Sequence, residues 1–163
     1  MIRAMAHVFY EVEVACAPDH VAERLKEGLA PRAADPAGEA DIVYELEVPF
    51  ENRHLTRIGR LSRKVQMHLG ALDQRPDATL LPISWRVPES RAFPEFHGWI
   101  ETAPISSMRT HLAILGDYTP PLGLVGSVID AIGGHLVAEL TVRRFVERLR
   151  LLLGDDRSGN AHP

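Results

Sequence analysis

The length of 163 residues suits one domain with one hydrophobic core, and a content of 45% hydrophobic and 25% charged residues is that of an ordinary globular protein. The formal net charge of -4 argues against a general nucleic-acid-binding surface. The single cysteine, Cys16, excludes an intrachain disulfide and a cysteine-based zinc site.

The first fifty residues predict a strand, a helix and a second strand. Apolar residues alternate with His and Glu over residues 7–15, as in a strand with one face in the core and one in solvent. Pro18 suits the first turn of a helix over residues 18–29, and the Pro-, Ala- and Gly-rich residues 31–39 predict a loop. Alternation resumes over residues 41–48. The glutamates of both strands fall on the polar side, which favours a solvated face over catalytic carboxylates.

Four more strands are expected in the middle of the chain, over residues 62–69, 79–87, 96–102 and 107–116. Pro82 lies within one of them and indicates a bulge or an edge position. We expect the last two strands to form a hairpin that turns at Pro104. Short strands that follow one another through turns predict an antiparallel sheet of six or seven strands.

The longest apolar pattern lies near the C-terminus and predicts one helix over residues 121–153. Apolar residues recur there at alternating steps of four and three, which places one wide apolar face along the helix. A membrane span is disfavoured, because Asp130 and Glu139 fall inside the apolar stretch. The adjacent Gly133 and Gly134 predict a bend or a break, or a close approach of the helix to the sheet.

The order of these elements, together with four segments of the sequence, resembles the START-like (SRPBCC, helix-grip) superfamily. The segments are Leu81-Pro82-Ile83-Ser84-Trp85, Phe93-Pro94-Glu95-Phe96-His97-Gly98, Leu115-Gly116-Asp117-Tyr118-Thr119-Pro120-Pro121-Leu122-Gly123 and Ala138-Glu139-Leu140-Thr141-Val142-Arg143-Arg144-Phe145. The resemblance implies an α+β helix-grip fold, in which a curved antiparallel sheet of six to seven strands wraps around a long C-terminal helix. It also implies an apolar cavity between sheet and helix. We expect a single domain over residues 1–153 and a flexible tail over residues 154–163.

The superfamily includes lipid-transfer domains, plant hormone binders, and polyketide cyclases and aromatases. No motif of a single subfamily is present, so the resemblance carries no catalytic residue to this chain. The sequence also lacks G-x-S-x-G, H-E-x-x-H, G-x-G-x-x-G and a phosphate loop that ends in Gly-Lys-Ser/Thr. His97 and His111 would face each other across a hairpin centred on Pro104, but no third metal ligand is evident. We therefore expect no metal, no other cofactor and no catalytic residue.

The candidate site is a cavity between the sheet and the first half of the long helix. Gly133 and Gly134 carry no side chain and so leave room beside the sheet. His135 lies next to them on the apolar stripe, where it is a candidate polar anchor for a ligand. The alternatives are a core histidine with one satisfied hydrogen bond and a histidine at the edge of the stripe. The expected ligand-binding residues share predicted inward positions: His135, Tyr10, Tyr44, Trp85, Thr110 and Ile132.

Three functions fit these features. The favoured one is binding, or transport, of a small hydrophobic ligand such as a lipid, a polyketide or an aromatic metabolite. The second is an enzyme of the polyketide cyclase or aromatase type, in which His135 and Tyr10 or Tyr44 move protons. The third is a protein-interaction domain whose cavity is filled by side chains.

The first residues show no apolar signal region, so we expect a cytoplasmic protein. Its expected partner is a small apolar ligand, with no nucleic acid and no integral membrane segment. No pattern in the sequence indicates an oligomeric state.

Overall fold

The computed structural model of the chain describes residues 5–29, 38–51, 58–88, 95–119 and 130–154. Alternating residues build the strands, and the two stretches with helical spacing build the helices. The elements in chain order are β1 (Ala6–Val14), α1 (Pro18–Leu29), β2 (Ala40–Glu51), β3 (Ile58–Leu69), β4 (Asp73–Gln74), β5 (Thr79–Arg86), β6 (Glu95–Ser106), β7 (Arg109–Thr119) and α2 (Asp130–Gly154).

All strands of the described residues belong to one antiparallel sheet in the order β1-β7-β6-β5-β3-β2, with β4 paired to β5. The sheet is curved, and α2 lies along its inner face, where it packs mainly against β1 and β2. These two strands are the two ends of the sheet, so the sheet wraps around the helix. This α+β helix-grip architecture confirms the predicted fold class, with seven strands.

The hydrophobic core lies between the inner face of the sheet and α2. Alternate residues of the longer strands point inward, as Leu81, Ile83 and Trp85 do on β5. On α2 the buried residues recur at helical spacing: Ala138, Thr141, Val142, Phe145, Val146, Leu149 and Leu153. Phe145 and Leu149 are buried as the helical phase predicts.

The short helix α1 covers one end of the core. Val21, Leu25 and Leu29 form its buried side, and it contacts α2, β6 and β7. Gly28 lies against Leu152 of α2, so closely that a methyl group at Gly28 would overlap the leucine side chain. The packing of α1 against α2 therefore closes this end of the core.

The hairpin between β6 and β7 differs from the prediction. β6 continues through Pro104 to Ser106, and the turn follows at residues 107–108. The register shifts between Pro104 and Ser106, so a bulge accommodates the proline, which cannot donate to the ladder. Tyr118 is consequently opposite Phe96.

This register separates the two histidines that were expected to face each other. His97 pairs with Asp117, and His111 pairs with Ala103. The predicted pairing was therefore wrong, because it assumed that the proline would end the strand.

Pro82 is paired on one side with Trp99 of β6. On its other side the ladder with β3 ends at Ile83, and the short ladder with β4 begins at Leu80. The Pro82 carbonyl accepts a hydrogen bond of 2.8 Å from the Gly70 amide in this gap. On the side of β3 and β4, Pro82 thus has no paired strand residue. This position suits proline, which has no N–H to donate to a neighbouring strand. Asp73 and Gln74, between β3 and β5, supply the short strand β4.

The long helix is continuous at the two glycines. Gly133 and Gly134 both lie within α2, so the predicted break is wrong, whereas the alternatives of a bend or a close approach to the sheet stay predictions. The predicted start near Pro121 lies outside the described residues. In the part of the chain that the structure describes, no helix combines the length and apolar character that crossing a membrane requires.

Candidate functional site

Three aromatic residues form a row on the inner face, across one end of β5, β6 and β7. Trp85 of β5 pairs with Phe96 of β6, and Phe96 pairs with Tyr118 of β7. All three side chains are among the most buried of the described residues, with Trp85 1% and Tyr118 0% exposed. Trp85 and Tyr118 are two strands apart, or roughly 10 Å at the usual strand spacing.

A residue of α2 completes this aromatic cluster. The rings of Trp85 and Phe96 are stacked, with centroids 4.3 Å apart. The Phe145 ring lies 5.4 Å from Trp85 and 5.5 Å from Tyr44, which it meets edge to face. The cluster therefore connects the centre of the sheet to the helix through apolar contact.

Two polar atoms of the row have no hydrogen-bond partner among the described residues. The indole Nε1 of Trp85 and the hydroxyl of Tyr118 are both buried, and neither makes a hydrogen bond to a residue that the structure describes. An unpaired buried donor costs about 1–3 kcal/mol, so native proteins nearly always satisfy such groups with protein, water or a ligand. The two donors are therefore candidate contacts for an ordered water or a bound molecule.

Burial also determines the protonation state of Tyr118. Removal from water raises the pKa of this phenol well above its ordinary value, because the charged phenolate is disfavoured there. The Thr141 side chain offsets part of this rise in pKa. It nevertheless forms no hydrogen bond of normal geometry with Tyr118, and its own hydroxyl donates to the Val137 carbonyl at 2.7 Å. Tyr118 is thus a neutral donor.

The row depends on two glycines that face each other. Gly98 of β6 and Gly116 of β7 are directly paired, and their α-carbons approach closely. A Cβ at either position would lie 2.8 Å or 2.7 Å from Phe96 Cζ, and it would also overlap the backbone of the neighbouring strand. The phenylalanine ring can lie over this pair only because neither residue has a side chain.

The predicted residues on the sheet have different surroundings. Trp85 lies in the aromatic row. Tyr44 is half-buried beside Phe145, and burial raises its pKa, while the nearby Arg148 acts in the opposite direction. Tyr10 is half-buried, and its hydroxyl donates to Glu147 Oε1 at 3.4 Å. Thr110 is buried, but its hydroxyl donates to the Cys16 carbonyl at 2.8 Å, which favours a structural role.

The other two predicted residues belong to the first turns of α2. Ile132 and His135 are helical, but their side chains lie outside the described part of the structure. The expected cavity beside Gly133 and Gly134 therefore stays a prediction.

The residues predicted for the site did not include Tyr118, Phe96 or Phe145. Tyr118 was assigned to the connection before the helix, because the predicted strand ended at Gly116. The alternation of Thr110, Leu112 and Ile114 in fact continues through Gly116 to Tyr118. That continued period of two was the available signal.

Metal ligation finds no support in the described ranges. No group of three or more His, Cys, Asp and Glu side chains there has the geometry to hold an ion. Three of the described histidines on the outer face are paired with carboxylates instead: His7 with Asp117, His68 with Asp41, and His111 with Glu11.

Solved structures of other proteins resemble this fold at low sequence identity. A norcoclaurine synthase from Thalictrum flavum, in complex with dopamine and hydroxybenzaldehyde, has a TM-score of 0.51 and 11% identity over 95% of this chain and 90% of its own. A hypothetical protein from Helicobacter pylori has a TM-score of 0.51 and 8% identity, with 91% and 88% covered. What they share with this chain is the fold.

An aromatase/cyclase structure and the comparisons of sequence give no further support. The Zhui aromatase/cyclase from Streptomyces sp. R1128 has 20% identity over 97% of this chain and 100% of its own. Its TM-score of 0.48 carries no argument about this chain. No protein-family model and no curated protein matches the sequence.

Proposed function

We propose that the chain binds a small, largely apolar molecule between the inner face of the sheet and α2. The observation that carries this proposal is the pair of buried donors without acceptors, Trp85 Nε1 and Tyr118 Oη. An apolar pocket with few polar groups is the usual form of a small-molecule site. The ligand would supply acceptor atoms, such as a carbonyl oxygen, to one or both donors.

The surrounding residues support a ligand with aromatic or other flat apolar parts. Trp85, Phe96 and Phe145 offer ring faces and edges within one cluster. Tyr10, Val12, Ile42 and Tyr44 are inner-face residues that pack against the core but stay partly exposed. We include His135 and Ile132 in the proposed site on their position in the sequence alone.

Binding is favoured over catalysis at this site. A tyrosine acts as a base only as the phenolate, and burial raises the pKa values of both Tyr118 and Tyr44. Near neutral pH each is therefore a hydrogen-bond donor rather than a base. A cyclase or aromatase activity would need another group as the general base, since a protonated tyrosine can act only as an acid.

We also propose that the chain belongs to the START-like superfamily, that residues 1–153 form one domain, and that the protein is cytoplasmic. The superfamily proposal is supported by the helix-grip fold and by the four sequence segments quoted above.

A matched pair of probes tests the binding proposal. Tetralin is a hydrocarbon, and 1-tetralone has the same skeleton with one carbonyl acceptor. Isothermal titration calorimetry should show that both bind, and that the ketone binds more tightly. Trp85→Phe or Tyr118→Phe should weaken ketone binding about fivefold to tenfold, which corresponds to about 1 kcal/mol for one hydrogen bond, and should leave tetralin unchanged.

Two results would contradict the proposal. One is the absence of binding for both probes, together with no co-purified ligand in native mass spectra of protein from its own host. The other is equal loss of both probes in both variants, since that result would reflect damaged packing rather than a lost hydrogen bond.

A further inference from the structure

The outer face of the sheet carries an apolar row that crosses four strands. Phe9 of β1 pairs with Leu115 of β7, Leu115 pairs with Trp99 of β6, and Trp99 pairs with Pro82 of β5. Phe9 is 53% exposed and Trp99 is 44% exposed. Exposed aromatic residues gathered in one patch are typical of a surface that contacts another protein.

The residues on either side of this row follow the same order on two strands. β1 reads His7, Phe9, Glu11 at alternate positions, and β6 reads His97, Trp99, Glu101. Both strands pair antiparallel with β7, so they run in the same direction. The histidines therefore lie on one side of the apolar row and the glutamates on the other.

We propose that this face is the interface of a homodimer, with a two-fold axis that runs along the apolar row, across the strands. Rotation about that axis returns each strand onto the same strand of the second copy in the opposite direction. Trp99 then meets Trp99 of the second copy. Each histidine lies over the glutamate of the same strand in the second copy, which makes the surface self-complementary.

The hydrogen bonds within one chain leave available the His and Glu side-chain atoms that would pair across the proposed interface. His7 uses Nδ1 towards Asp117, so Nε2 remains for Glu11 of the second copy. Glu11 uses Oε2 towards His111, so Oε1 remains. Across the described residues, neither His97 nor Glu101 has a side-chain hydrogen bond. On β7, Asp117 would lie over the small Ala113, so no carboxylate would be stacked on another.

The size of the surface indicates a weak dimer. Four strands span about 19 Å, and five residues along a strand span about 17 Å. The area of this face is small beside the roughly 800 Å² that a stable complex buries on each partner. Association should therefore depend on concentration in the micromolar range.

Sedimentation equilibrium over about a hundredfold range of protein concentration measures this association. The wild-type chain should shift from monomer to dimer. Trp99→Gln should lower the association constant about tenfold or more, because it removes the residue on the axis. Val43→Gln is the matched control: Val43 is on the outer face and 71% exposed, but it lies on β2 outside the row, so association should be unchanged.

A charge swap tests the geometry itself. His97→Glu should weaken the dimer, because it brings two carboxylates together across the axis. The double variant His97→Glu/Glu101→His should restore association, because the rotation exchanges these two positions. Circular dichroism melting curves should show that all variants are folded.

A wild-type chain that stays monomeric throughout would overturn the proposal and leave this face to a partner of another sequence. A dimer that Trp99→Gln does not weaken, or that the double swap does not restore, would equally overturn it.

Discussion

Arg148 Nη1 donates a hydrogen bond of 2.9 Å to the backbone carbonyl of Glu45. Glu45 belongs to β2, which ends the sheet, so this side chain of α2 satisfies a carbonyl on an edge strand. The preceding residue of the helix, Glu147, accepts a hydrogen bond from Tyr10 of β1 at the other end of the sheet. Adjacent residues of one helix therefore hold both ends of the curved sheet.

Arg148→Met should lower the free energy of unfolding by about 0.5–1.5 kcal/mol, since it removes one hydrogen bond but keeps most of the apolar stem. Urea unfolding measures the effect. Arg150→Met is the control, because Arg150 pairs with Glu147 at an exposed position of the same helix. This substitution should cost less than about 0.5 kcal/mol. Equal losses in the two variants would contradict a role for Arg148 at the sheet edge.

Phe145→Ala should lower the free energy of unfolding by about 3–5 kcal/mol, because it empties the space between Trp85 and Tyr44. Thermal and urea unfolding measure this loss. Leu151→Ala, on the same helix at a position that is 66% exposed, should change stability by less than about 0.5 kcal/mol. A small effect at Phe145 would show that the aromatic cluster does not join helix and sheet.

Gly98→Ala should destabilise the protein by about 2 kcal/mol or more, because its methyl group would overlap the β7 backbone and the Phe96 ring. The near-ultraviolet circular dichroism spectrum should change as well, since Phe96 stacks on Trp85. Gly154→Ala is the matched control, because nothing lies within 4 Å of the added methyl group. Unchanged stability in Gly98→Ala would contradict the close approach of β6 and β7.

The raised pKa of Tyr118 predicts a loss of protein stability at alkaline pH. Its pKa in the folded protein is raised above the unfolded value of 10.0, so the protonated phenol is favoured on folding. The stabilising contribution is complete below about pH 10 and is lost as the pH rises further, at up to about 1.4 kcal/mol per pH unit. Urea unfolding between about pH 8 and 11 should show a smaller decrease for Tyr118→Phe than for the wild type.

The same variant should be at least as stable as the wild type at neutral pH without ligand. It removes an unpaired buried hydroxyl and keeps the ring. A marked loss of stability at neutral pH would instead show that the hydroxyl is satisfied in the folded protein.

The order of most elements could be predicted from the sequence, because apolar residues recur within each element at the spacing typical of a strand or a helix. Alternation identified β1, β2 and β5, and helical spacing identified α1 and the buried side of α2 at Phe145 and Leu149. The position of Pro104 misled the prediction of β6, because a bulge at the next residue lets the strand pass the proline. A bulge depends on contacts with the neighbouring strand, which the local sequence does not contain.

The site was less accessible to prediction than the fold. Inward alternation correctly put Trp85 in the core, but whether a donor has a partner depends on residues distant in sequence. Thr110 bonds to Cys16, 94 positions away, whereas Tyr118 has no such partner. The hairpin register that places Tyr118 beside Phe96 decides this difference, and it was the part of the sheet that the prediction missed.

The pairing of β1 with β7 also constrains how the chain folds as it is synthesised. Ala6 is paired with Tyr118, so the first strand to emerge gains its sheet neighbour only after more than a hundred further residues. Such distant pairing slows folding, because a long loop must close before the contact forms. Until β7 pairs with it, the apolar side of β1 must be protected from aggregation by transient contacts. Conditions that delay elongation late in the chain should therefore increase aggregation more than delays near the start.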